Sequence, residues 1–221
     1  MEIYKAKITD LRQGVRNENR VNVFVDGKYA FSLDIAQVVD FGVKVGKLLT
    51  PEELQELKKA SEFGKLYQRT LEWVLMRPRS VRETKDYLFR KLKRSFSKMD
   101  TVSRENYTGD FTEFSGQIIE RLISKGYLDD ETFARYYVEN RFVKKGVSMK
   151  RLKMELMKKG VAKEIIDEVL DASERDDKDE ILKIIARKRA RYDDEKLLAY
   201  LCRQGFSFDL SRELIRSYEK D

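Results

Sequence analysis

Histidine is absent from this chain of 221 residues, and cysteine occurs once, as Cys202. The first absence removes the commonest general base and the commonest metal ligand. A Ser-His-Asp or Cys-His catalytic set cannot be built from these residues, and no structural zinc site is expected. A single cysteine forms no intramolecular disulfide, which points to a reducing compartment. Proline occurs only at positions 51 and 78, so long helices can run unbroken. No apolar run reaches the roughly 18 residues that a membrane span requires. Met1 leads straight into the charged stretch EIYKAKITDLRQ, with no apolar leader. A cytoplasmic chain is expected.

What is present in quantity is charge. Charged residues make up 38% and hydrophobic ones 41%, with 46 Lys plus Arg against 39 Asp plus Glu. Such a charge load suits an extended helical protein better than one compact core. The charges are also segregated. Residues 141–163 hold nine basic side chains against Glu155 alone, and residues 77–98 hold nine against Glu83 and Asp86. Residues 164–180 reverse the balance, with nine acids against Arg175 and Lys178. Basic faces of this kind attract polyanions.

Residues 2–33 alternate in the manner of strands. Val21, Val23 and Val25 precede Asp26-Gly27, and Tyr29, Phe31 and Leu33 follow. Asp-Gly between alternating runs predicts a tight hairpin, because it accepts the positive φ angles of the turn. Three short antiparallel strands are expected. Asp34 then caps a short helix that stops near Gly42. Thr50-Pro51-Glu52-Glu53 opens another, predicted to run to about Phe63. The GVKVGK of 42–47 is no phosphate loop: three residues, not four, separate its glycines, and Leu48 follows the lysine.

From Leu66 onward the pattern is helical and repeats. Ser80 opens a helix with Leu88 and Leu92 eight and twelve residues on. Ser148 is followed by Leu152, Leu156 and Gly160 at four, eight and twelve, and Asp193 by Leu197, Leu201 and Gly205. A basic residue (Arg77, Arg141, Arg189) ends the helix before each cap, and another helix follows. The architecture expected is mainly α: three tandem three-helix repeats in an elongated, curved array, behind a small antiparallel β domain. The boundaries fall at 1–63, 64–126, 127–174 and 175–221. Residues 95–111, polar and without periodicity, are expected as an exposed loop. Short units of this type bury a core only by stacking on one another.

Three basic clusters are the candidate binding residues. The first is Arg77, Arg79, Arg82, Arg90, Lys91, Lys93 and Arg94. The second is Arg141, Lys144, Lys145, Lys150, Arg151, Lys153, Lys158 and Lys159. A weaker third comprises Arg187, Lys188, Arg189 and Arg191. Their competing reading is a solubilising surface. Asp129-Asp130 invites a metal, but acids at a helix start complement the dipole, and Asp176-Asp177 and Asp193-Asp194 repeat the placement. Phe133 and Tyr137 fall on the core face of their helix, whereas Tyr136 falls on the other.

The order of these motifs resembles the RecX family of recombination regulators. The residues that carry it are RPRS at 77–80, GYLDD at 126–130 with Phe133-Ala134 and Arg141, Gly146 before the Ser148 helix, KKGV at 158–161 and RQGF at 203–206. The preface DGKYAFSL with VGKLLTPEEL resembles an N-terminal extension carried by some members. Together these cover essentially the whole chain. The first repeat departs from the pattern, since its second helix runs into KLKRSF with no Lys-Gly stop. The resemblance implies a non-enzymatic modulator that binds the RecA recombinase and lodges in the groove of its filament on single-stranded DNA, where such proteins commonly restrain ATP hydrolysis and strand exchange; a monomer is expected. Some members also contact DNA directly, and no cofactor or metal is implied. A helical nucleic-acid-binding protein independent of RecA is the alternative. A metal-dependent nuclease would need a carboxylate pocket that the sequence does not display.

Overall fold

The computed structural model describes residues 5–15, 17–96 and 101–218, with backbone alone for residues 92, 94–96 and 101–111. It divides into two compact units, residues 1–73 and 74–221. Among the described residues, no helix is long and apolar enough to cross a membrane.

The first unit is a four-stranded antiparallel sheet in the order β3-β2-β1-β4. Its strands are β1 (Ala6–Gln13), β2 (Arg20–Val25), β3 (Lys28–Asp34) and β4 (Leu48–Leu49). The β2–β3 hairpin turns at Asp26 and Gly27, with φ of 49° and 76°. The alternation of β2 and β3 does its work here. Val23 pairs with Phe31 and Val21 with Leu33, and Ile8, Val23, Phe31 and Leu33 bury one sheet face. The fourth strand is an addition to the three expected. Two residues are too few to show alternation, and backbone bonds from Ile8 N to Lys47 O and Gly46 N to Ile8 O set the pairing up.

Helix α1 (Ile35–Asp40) starts in a capping box: Asp34 accepts from Gln37 N, and the Gln37 side chain accepts from Asp34 N. Helix α2 (Pro51–Leu75) starts in another, between Thr50 and Glu53. The expected stop at Phe63 is wrong, since α2 passes through Gly64 in one span. Gly64 serves close approach rather than termination. A Cβ there would lie 2.9 Å from Gln37 Oε1, and Gln37 Nε2 donates to Ala60 O at 2.7 Å.

The second unit is all helix among its described residues: α3 (Val81–Phe96), α4 (Thr101–Ser124), α5 (Asp130–Asn140), α6 (Met149–Lys158), α7 (Lys163–Asp171), α8 (Asp177–Lys188), α9 (Asp194–Arg203) and α10 (Phe208–Ser217). The loop expected at 95–111 is also corrected. Residues 95–96 end α3, residues 101–111 form the first half of α4, and only 97–100 lie outside the described residues. Helices α5, α6 and α7 enclose one core, around Phe133, Leu152, Leu156 and Ile166. Helices α8, α9 and α10 enclose the next, around Ile181, Ile185, Leu197, Leu201 and Phe206. Gly160 and Gly205 follow α6 and α9 at φ of 81° and 93°, which suits glycine at the end of a helix.

The caps of α3 and α6 are more than local. Ser80 Oγ accepts from Glu83 N and donates to Lys159 O at 2.8 Å. Ser148 Oγ accepts from Arg151 N and donates to Gln204 O at 2.7 Å. Both serines are fully buried. Each cap therefore also ties its helix to the end of the helix one repeat later. Ser80→Ala and Ser148→Ala should each cost about 1–2 kcal/mol of unfolding free energy. Ser207→Ala, at an N-cap with no side-chain hydrogen bond, should cost under about 0.5 kcal/mol. Urea midpoints of the three variants measure the contrast.

Candidate nucleic-acid interface

The second helix of each repeat positions the basic residues, so its junctions come first. At the α3–α6 junction, Val81 N donates to Asp130 Oδ1 at 2.9 Å. At the α6–α9 junction, Met149 N donates to Asp177 Oδ1 at 2.8 Å. Asp129 and Asp176 are the N-caps of α5 and α8. The second aspartate of each pair instead reaches across to the first amide of the preceding second helix. Burial pushes both carboxyls above the ordinary aspartate range, against the lowering effect of those N–H bonds. The pair is a helix start and a tie, with each residue taking one role.

Close packing completes the match. A Cβ on Gly160 would lie 2.8 Å from Arg82 Cβ, and one on Gly205 3.0 Å from Ser148 Oγ and 3.8 Å from Lys150 Cβ. The start of α3 thus rests on the end of α6, and the start of α6 on the end of α9. Abutting the positive end of one helix dipole on the negative end of another is favourable. The residue three after the cap also meets the C-cap residue of the next second helix. Lys159 Nζ lies 2.6 Å from Glu83 Oε1, and Arg151 donates to Gln204 Oε1.

These junctions divide the sequence-derived cations. Several are engaged inside the chain. Arg141 donates to both oxygens of Glu155, at 2.8 and 3.2 Å, and its guanidinium lies 3.8 Å from the Phe142 ring centroid. Arg151 reaches Glu155 at 3.1 Å. Burial alone would raise the Glu155 carboxyl, but hydrogen bonds from Arg141, Tyr137 and Arg151 hold it down at about 2. Lys153 pairs with Asp167, Arg189 with Asp194, and Arg77 with Glu83 at 3.5 Å. Lys91 lies 5.0 Å from the Tyr87 ring centroid, and Lys188 4.5 Å from that of Tyr192. Arg79 is half-buried, and burial lowers its pKa. The side chain of Arg94 lies outside the described part.

Others are open. Arg82, Arg90, Lys93, Lys144, Lys145, Lys150, Lys158 and Arg187 are exposed and, among the described residues, form no ion pair within the chain. Counted from the caps, Arg82 and Lys150 stand two residues on, and Arg90 and Lys158 ten. One residue before the latter pair stand Phe89 and Met157, and Met154 lies six after Ser148. These three are 63%, 50% and 48% exposed. The sequence reading missed them, although their place relative to each cap was available to find them. Tyr136 is half-buried, while Phe133 is fully buried.

The acidic stretch at 164–180 is partly structural. Asp167, Asp176 and Asp177 are used as described, and Glu180 is wholly buried at the joint between α5 and α8. It accepts from Val147 N at 2.8 Å, Arg175 Nε at 3.0 Å and Lys183 Nζ at 2.7 Å. Arg175 also donates to Val138 O and Arg141 O, at 2.5 and 2.8 Å. Gly146 packs here too: a Cβ on it would lie 2.5 Å from Glu180 O.

Comparison with known proteins bears on the whole chain. A family model described as the regulatory protein RecX N-terminal domain matches residues 6–50. One described as the RecX second three-helix domain matches residues 129–170, which span α5 to α7. A regulatory protein RecX of Bacillus licheniformis is 29% identical over 97% of this chain and 79% of its own. One of Clostridium botulinum is 26% identical over 96% and 95%. A crystal structure of a regulatory protein RecX superposes with a TM-score of 0.65 at 21% identity, covering 96% of this chain and 99% of the other. At that identity it speaks for the fold. A second crystal structure, RecX from Lactobacillus salivarius, gives 0.50 at 22% identity over 73% and 99%.

Proposed function

Since the chain belongs to the RecX family of regulatory proteins, we propose that it docks on the filament that RecA recombinase forms on single-stranded DNA and restrains it. The restraint falls on ATP hydrolysis and strand exchange. The observation that carries this reading is the match to regulatory relatives along nearly the whole chain, β unit and helical repeats together. The open cations on α3 and α6 support it, because Lys and Arg facing solvent meet phosphates without reading sequence. The protein acts as a cytoplasmic monomer and changes the activity of its partner rather than performing a reaction itself.

The test is the ATPase rate of RecA on single-stranded DNA as this protein is titrated in. The rate should fall as the ratio rises. An unchanged rate at every ratio, with tight binding to bare DNA, would instead identify a nucleic-acid-binding protein independent of RecA. Cleavage of the DNA on adding magnesium would make it a nuclease.

A further inference from the structure

We propose that one face of α3 and α6 seats a single nucleic-acid strand, with Arg82, Arg90, Lys150 and Lys158 on its phosphates and Phe89 and Met157 against its bases. The proposal deepens the reading above and rests on it only for the identity of the polyanion. The four cations are exposed and free of ion pairs among the described residues. They occupy the same two places after each cap, beside apolar side chains that are 63% and 50% exposed.

Exposed apolar residues scattered singly mean little. Here the exposure recurs at one place in the repeat, next to a cation each time. That alternation suits a strand, whose bases stack on aromatic or polarisable side chains while its phosphates track a basic surface. Met154, 48% exposed, adds a further apolar side chain on α6.

The two helices offer one strip rather than two patches. Arg82 packs against Gly160, at the end of α6, so it stands just beyond Lys158. The strip fades on α9, where Glu195, Ala199 and Cys202 hold three of the corresponding places and only Arg203, ten after the cap, keeps a cation. A duplex fits less well, because its base faces are buried in the stack and Phe89 and Met157 would find nothing to contact. An acidic protein surface would meet the cations but give Phe89 no such role.

The experiment uses the full chain and a fluorescent oligothymidine, without RecA, followed by anisotropy at several salt concentrations. Arg82→Glu with Lys158→Glu should weaken binding at least about tenfold and flatten the slope of log affinity on log salt by about 1.4. Phe89→Ala should weaken it about fivefold or more with the slope unchanged. Lys178→Glu, a like reversal on α8 outside the three basic clusters, is the control and should do much less. Binding of the double variant that matches the control overturns the proposal, as does a neutral Phe89→Ala. The RecA ATPase assay, run on the same variants, separates this proposal from the reading it rests on. If wild type leaves the ATPase unchanged while the variants lose oligothymidine, the strip stands and the regulatory reading fails. If the variants keep oligothymidine but release the ATPase, the strip seats a protein and this proposal is overturned.

Discussion

Replacing Glu180 by alanine should lower the unfolding free energy by about 3–5 kcal/mol. Its carboxylate is fully buried and collects Val147 N, Arg175 and Lys183. Without it the Arg175 side chain, only 12% exposed, would hold a buried charge with no counter-charge. Two backbone carbonyls at the end of α5 would remain its partners. The pair itself need not be strongly stabilising, because desolvating two charges offsets much of their attraction. Arg175→Met with Glu180→Leu should therefore recover most of the loss. Denaturant unfolding of the single and double variants decides the matter. A loss under about 1 kcal/mol in Glu180→Ala would mean that the joint does not depend on this charge.

Acidification should weaken the α5–α6 contact through Glu155. The carboxyl stands at about 2 in the folded chain against an ordinary 4.5. A depressed folded pKa means that the unfolded chain binds more protons between those values. The stabilisation is therefore complete above about pH 4.5 and is lost as the pH falls through about 2. At about 1.4 kcal/mol per pH unit the displacement corresponds to about 3 kcal/mol, which the side chain's 19% exposure reduces to about 2–3 kcal/mol. Glu155→Gln keeps the shape and removes the titration. Stability followed from pH 5 to 2 should fall more steeply in wild type by that amount. Parallel curves would sink the assignment.

Much of this is legible in the sequence alone. Asp26-Gly27 has the chemistry of its turn, and Ser148, Asp129 and Asp193 cap helices because their oxygens accept amides that a helix leaves bare. The errors share a cause: a local signal was outvoted by something distant in sequence. Gly64 looks like a stop and is a notch for Gln37, 27 positions away. Residues 101–111 lack periodicity yet continue into the strongly apolar Ile118–Ile119 part of α4. Among the cations, sequence reports charge but not partners. Lys150 and Arg151 are adjacent, yet the first faces solvent and the second is spent on Glu155 and Gln204. Glu180 reads as one acid among nine, and nothing local marks it as the buried one.

The twin junctions also make the copies interchangeable. Ser80 and Ser148 donate to the same kind of carbonyl, and Val81 and Met149 give the same amide to an aspartate. Take out the middle copy, α5 through α7, and α3 would face Gln204 O, Gly205 and Asp177, which are the partners that α6 now uses. The number of copies is then a quantity that can change by whole units with no new interface to invent, and the length of the basic strip would change with it.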